Sequence, residues 1–124
     1  MEMKTITTHN LAEATPQQVF DQIATHLLTQ KKKSTRKREA SDQCVYHTKR
    51  GKMCAVGCLI PKEEYESEME GWAWSDLVGI FDFSDAHVEL IQGLQHIHDT
   101  SKVSDWENDL KDYAQTLELK WERP

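Results

Sequence analysis

The sequence predicts a helix-rich α+β domain, with about three long helices packed against a short β-hairpin. Three observations carry this. Apolar residues recur at three- and four-residue steps in separate stretches. Two short apolar runs flank a glycine-containing turn. A chain of 124 residues, 38% hydrophobic and 29% charged, suits one compact domain with a single core, so residues 1–124 read as one domain. No internal repeat is visible.

Residues 1–14 show no sustained period and read as an N-terminal arm. Thr15-Pro16 supplies a cap followed by proline at the first helical position, where its missing N–H costs nothing. Val19, Phe20, Ile23, Leu27 and Leu28 then share one helical face, which predicts a helix from about Pro16 to Gln30. Residues 31–42 carry six cations within eight positions and no apolar stripe, and read as a basic flexible loop.

From Gln43 onward, Cys44-Val45-Tyr46-His47, a turn at Thr48 to Gly51, and Lys52-Met53-Cys54-Ala55-Val56 have the pattern of a β-hairpin. Pro61 followed by Glu63 and Glu64 suits the first turn of a short helix, because carboxylates meet the positive end of the helix dipole. Gly71 to Ser75 reads as a loop, and Leu77 to Phe81 as a strand or a buried turn. Val88, Ile91, Leu94 and Ile97 or His98 mark a second long helix that begins after Ser84 and ends near Asp99. Ser104-Asp105-Trp106-Glu107 reads as a capping box. Trp106, Leu110, Tyr113, Leu117 and Trp121 predict the face of a third long helix.

The net charge of −6 hides an asymmetry. Nine of the 15 basic residues lie between Lys31 and Lys52, a segment of charge +7, whereas Lys62 to Pro124 carries −11. Screening confines each field to roughly 8 to 10 Å, so partners of either sign can be selected by a local patch. No run approaches the ~20 apolar residues of a membrane span, and the N-terminus lacks the apolar region of a signal peptide. A cytoplasmic protein with reduced thiols is therefore expected, with no membrane partner.

Cys44, His47, Cys54 and Cys58 are ligand types that zinc accepts. Their spacing fits neither a zinc knuckle nor a ribbon, and cysteines are commonly small buried hydrophobes; the sequence leaves open whether the three thiols hold a metal, and no metal site or cofactor is assigned. Cys58 ahead of a helix start, with His96 or His98 as base and Asp99 as orienter, would make a thiol nucleophile, but no spacing writes such a triad. The basic residues Lys31, Lys32, Lys33, Arg36, Lys37, Arg38, Lys49 and Arg50 could contact phosphates, with Tyr46 available for stacking. Trp72 and Trp74 flank one alanine; on a strand both would face one side, as a core plug or an exposed anchor. These ten residues, the eight cations and the two tryptophans, are the candidate binding residues, and none is expected to be catalytic.

The order of motifs is similar to that of a family of small proteins carried by tailed bacteriophages and prophages. Cys44-Val-Tyr, the glycine turn, Met53-Cys-Ala-Val-Gly-Cys-Leu-Ile-Pro61, Glu64-Tyr65, Glu68-Met-Glu-Gly71, Leu94-Gln-His-Ile-His-Asp99 and Val103-x2-Trp106 carry the resemblance, which spans Val19 to Leu119. That family has no assigned biochemical activity, so no catalytic residue carries over, and His47 and the basic run fall outside its pattern. The resemblance implies a viral accessory role inside an infected bacterium. The expected function is non-enzymatic: binding and inhibiting a bacterial host protein, such as an anti-phage defence component, through either the acidic C-terminal half or the basic 31–52 segment. The alternatives are a sponge for a signalling nucleotide, held by Trp72, Trp74 and basic residues, and a small nucleic-acid binder using residues 31–52. Self-association into a homo-oligomer also stays open.

Overall fold

A computed structural model of the chain describes residues 5–37, 42–48, 51–70, 72–81 and 85–121. Four α-helices are found among them: α1 (Pro16–Gln30), α2 (Trp74–Ile80), α3 (Val88–Thr100) and α4 (Trp106–Thr116). Helices α1, α3 and α4 pack on one another, and α2 packs on α3. Phe20, Ile23 and Leu27 of α1, Leu77 of α2, Ile91 and Leu94 of α3, and Trp106 and Leu110 of α4 meet in one core with Leu11, Leu59, Met69 and Trp74.

The expected α+β class is corrected to all-α, because no β-layer forms among the described residues. The extended pairing among the described residues is a three-residue antiparallel ladder, β1 (Thr35–Lys37) with β2 (Asp42–Cys44), plus an isolated bridge between His47 and Met53. The expected hairpin across 44–56 is reduced to its tip, where the Thr48 N–H donates to the Lys52 carbonyl at 2.9 Å and the Cys54 N–H to the Tyr46 carbonyl at 3.3 Å. Past that point the ladder stops, and side chains from elsewhere take the backbone groups of Tyr46 and Met53. The Tyr46 N–H donates to both carboxylate oxygens of Glu70, at 2.9 and 3.1 Å. Gln30 takes the Met53 N–H at 3.0 Å and donates to its carbonyl at 2.9 Å. Beyond Met53 the chain curls instead of extending: the Cys58 N–H reaches the Cys54 carbonyl, and Gly57–Leu59 forms a 3-10 turn.

Gln30 is one of three glutamines on α1 that pair with the backbone at two points. Gln22 does so with Ile6, at 2.7 and 2.8 Å, and Gln17 with Lys120, at 2.8 and 3.0 Å. Each amide offers a donor beside an acceptor, matching the N–H and C=O of a single residue. Irregular segments are thereby fastened to the helix without a sheet. The described part of the N-terminal segment, 5–14, is consequently no loose arm: Ile6, Thr8 and Leu11 are buried, and the Thr8 N–H reaches the Leu59 carbonyl.

Helix α1 has the predicted limits, with Thr15 and Gln18 forming a reciprocal capping box and Lys31 closing the end in the left-handed region. The basic segment is not a free loop where it is described. Ser34 is fully buried; its hydroxyl donates to the Val45 carbonyl at 2.6 Å, and the Val45 N–H returns to the Ser34 carbonyl at 2.8 Å. The expected helix at Pro61 is a 3-10 turn, Lys62–Glu64. The apolar run 77–81 is helical, not extended, within α2, whose start is closed by the Ala73 N–H on the Asp76 carboxylate. Helix α3 begins at Val88, later than expected, after His87 in the left-handed region; Ser84 lies outside the described residues. The capping box at Ser104 does not form, because Val103–Asp105 makes a 3-10 turn before α4. Helix α4 stops at Thr116, and Trp121 reaches the core from beyond it, edge-on to Phe20 with ring centroids 6.2 Å apart.

Histidine 26 gives this packing a pH signature. Its Nε2–H donates to the Met53 carbonyl at 2.7 Å. Burial lowers its pKa from 6.5, the Met53 contact opposes the shift in part, and His98 and His47 add to it. Below about pH 6.5 the unfolded chain therefore takes up a proton that the folded one resists, and stability falls. The urea midpoint should drop between pH 7.5 and 5.5. His26→Gln, which keeps a donor for Met53, should flatten that drop; an unchanged slope in the variant would refute the assignment.

Candidate functional site

An open cleft of about 440 Å³ lies where α3, the entry to α2 and the irregular segment after β2 meet. Gln92, Gln95, His96 and Asp99 line it from α3. Their three- and four-residue spacing puts them on one helical face, while Ile91, Leu94 and Ile97 enter the core. Trp72, Ala73 and Trp74 line it from the entry to α2; Val45, Tyr46, Cys54 and Glu70 complete it.

The two tryptophans part company because α2 begins between them. Trp74 is the first residue of the helix and 2% exposed, whereas Trp72 is 37% exposed and tilted against Phe81, with centroids 6.1 Å apart. Trp74 therefore belongs to the core and does not act as a second anchor. Trp72 alone keeps the role of an accessible aromatic.

Both carboxylates of the cleft are held in place. Glu70 accepts from the Tyr46 N–H and from the Tyr65 hydroxyl. Asp99 Oδ1 accepts from Gln95 Nε2 at 2.7 Å and lies 2.8 Å from His98 Nδ1. His98 is fully buried, accepts the Ser34 N–H on Nε2 at 3.0 Å, and stacks on Trp106 with centroids 5.5 Å apart. Since Nε2 accepts, the proton sits on Nδ1 and points at Asp99. The Tyr46 phenol is held well above its ordinary pKa by burial first, then by the fields of Cys54, Glu70, Asp99 and Asp76. The cleft is an acidic environment.

The predicted basic residues do not converge on this site. Lys31 and Lys32 are exposed past the end of α1, and Lys33 Nζ donates to the Asp99 main-chain carbonyl at 3.2 Å. Arg36 and Lys37 belong to β1; their side chains, and Arg38, Lys49 and Arg50 altogether, lie outside the described residues.

The four zinc-type residues are otherwise engaged where they are described. His47 Nε2 donates to the Gly57 carbonyl at 2.8 Å and the ring stacks on Tyr65. Cys54 Sγ accepts the Gly57 N–H at 3.3 Å, and the Cys58 thiol donates to the Ala55 carbonyl at 3.1 Å. The Cys44 side chain lies outside the described residues. Among the described residues no group of three His, Cys, Asp or Glu side chains could hold a metal ion.

The same contacts disfavour Cys58 as a nucleophile. Burial pushes its thiol up to about 12 and the Cys54 thiol well above 9.0, and His98 is committed to Ser34 and Asp99. A thiolate is needed for attack. In a Cys44→Ser background at pH 8, an aromatic disulfide reagent should label the folded protein at least about a hundredfold more slowly than the urea-unfolded chain. Equal rates would show an activated thiol.

Trp72, His96 and Asp99 thus come together from residues already singled out in the sequence. Glu70, Gln92 and Gln95 were missed. The spacing 92–95–96–99 beside the apolar stripe of Ile91, Leu94 and Ile97 was the available signal for α3, and nothing local marks Glu70. No helix among the described residues is long and apolar enough to cross a membrane.

Fold and cleft together define a small all-α protein with an acidic, aromatic-rimmed cleft. Comparison with protein-family models, curated proteins and solved structures finds no match for this chain.

Proposed function

We propose that the protein is a non-enzymatic binder that occupies and inhibits another protein, with the cleft beside Trp72 as part of its contact face. The observation that carries this reading is a half-exposed tryptophan on the rim of a ligand-sized cleft, since tryptophan dominates the energetics of protein contacts. The Cys54 and Cys58 thiols, raised in pKa and hydrogen-bonded inward, support a role without covalent chemistry. The resemblance to small proteins of tailed phages makes a bacterial host protein, such as a defence component, the target of this proposal. The nucleotide-sponge alternative is weaker at this cleft, because Glu70 and Asp99 would repel phosphates.

A photoreactive residue at Gln92, exposed on the cleft wall, tests the reading in infected or uninfected bacterial extract. One defined protein should cross-link in a 1:1 adduct, and Trp72→Ala should reduce the yield at least tenfold. A scatter of adducts, or a yield indifferent to Trp72, would refute it.

A further inference from the structure

We infer that the cleft is a site for a single guanidinium group, presented by an arginine side chain of the partner protein. The inference deepens the binding role above and rests on it only for the partner's being a protein.

Charge is the first argument. Two carboxylates from different elements, Glu70 and Asp99, line the cleft, and the field of Asp76 is felt there as well, at Tyr46. Among the described residues, Lys33 reaches Asp99 at its main-chain carbonyl and not at its carboxylate. An anion would be repelled here and a cation drawn in.

Hydrogen-bonding capacity is the second. A carboxylate has about four lone-pair positions. Asp99 receives both of its described bonds on Oδ1, so Oδ2 has no partner among the described residues. That oxygen, with the exposed Gln92 side chain, offers acceptors to a donor-rich planar group. Guanidinium carries five N–H donors in a fixed fork and no acceptor, which suits carboxylates at more than one angle better than an ammonium does.

The third argument is aromatic. Trp72 stands on the rim, 37% exposed, where a guanidinium plane can stack on the indole while its edge meets the carboxylates. Clefts of about 300 Å³ and above are of ligand size, so about 440 Å³ accommodates one long side chain without rearrangement.

The test is an NMR titration of the labelled full chain with N-acetyl-Gly-Arg-Gly-amide, its citrulline counterpart and spermidine. The arginine peptide should give saturable shifts at the Trp72 indole N–H and the Gln92 side-chain amide. Citrulline, of similar shape but uncharged, should bind at least tenfold more weakly. Asp99→Asn keeps an oxygen for His98 and Gln95 and should weaken the arginine peptide at least fivefold; Trp72→Ala, at an exposed position, should do the same without disturbing the fold. Equal binding of arginine and citrulline peptides, or shifts confined to other surfaces, would overturn the site. Spermidine binding as tightly as the arginine peptide would overturn the guanidinium assignment in favour of unspecific cation attraction. Arginine-peptide binding without any Gln92 cross-link would keep the cation site and remove the protein-binding role; a Trp72-dependent cross-link without peptide binding would do the reverse.

Discussion

Trp106→Ala should destabilise the protein by about 3–5 kcal/mol, the range for emptying a buried tryptophan site. That is a large part of the ~5–15 kcal/mol total of an ordinary domain. Trp106 is fully buried and belongs to the same core as Phe20, Ile23 and Leu94. It also supports the face of His98, whose Nε2 ties α3 to Ser34 while its Nδ1 meets the neighbouring Asp99 carboxylate. The loss should therefore reach the basic segment as well as the core. Trp106→Phe separates the two contributions. The indole N–H of Trp106 has no hydrogen-bond partner among the described residues, so the phenyl ring forfeits volume only and should cost about 1–2 kcal/mol. Chemical denaturation of the three proteins checks this. A phenylalanine variant as unstable as the alanine variant would mean that the indole N–H has a role not accounted for.

Gly57→Ala should be nearly as damaging, by about 3 kcal/mol or more, at the upper end of overpacking. A Cβ at Gly57 would lie 2.0 Å from the Tyr46 carbonyl oxygen and 2.8 Å from its carbon. Both are backbone atoms and cannot swing aside. Tyr46 is also fixed from its other side, with its N–H on Glu70, and its carbonyl receives the Cys54 N–H at 3.3 Å. The strand-like and turn-like parts of residues 44–60 are pressed together at this point. A shift in Tm of roughly 12 °C or more is expected from that loss for a domain near this size. Gly79→Ala is the control, since nothing lies within 4 Å of a Cβ there; it sits in α2 and should gain slightly from alanine's better helix propensity. Similar behaviour of the two variants would contradict the close approach at Tyr46.

The contrast between those glycines shows what could be read in advance. Apolar spacing located α1 to its limits, the buried face of α3 and the Trp106 and Leu110 start of the α4 face, because a helix is a local structure and its pattern is written in consecutive residues. Leu117, expected on that face, lies past the helix end and is exposed. The segment 44–60 has a hairpin's composition but keeps only the tip of one, since the Tyr46 N–H that would continue the ladder goes to Glu70, 24 residues away. Helix α2 was unreadable for another reason: seven residues hold too few repeats to distinguish helical from extended spacing. In the site, Trp72, His96 and Asp99 were visible as unusual residues, but their meeting depends on how α2 lies against α3. Glu70 resembles any other residue of an acidic stretch until its carboxylate is seen against Tyr46 and Tyr65.

The fastening of Ile6, Met53 and Lys120 to one helix through Gln22, Gln30 and Gln17 has a consequence for how the molecule ages. Uncharged linkages of this kind are insensitive to salt, yet each depends on an NH₂ group that slow hydrolysis to the acid would remove, placing a carboxylate against a carbonyl oxygen. Prolonged heating, rather than high ionic strength, should be what releases these segments, and each release would register as a mass gain of one unit in the peptide that contains the altered side chain.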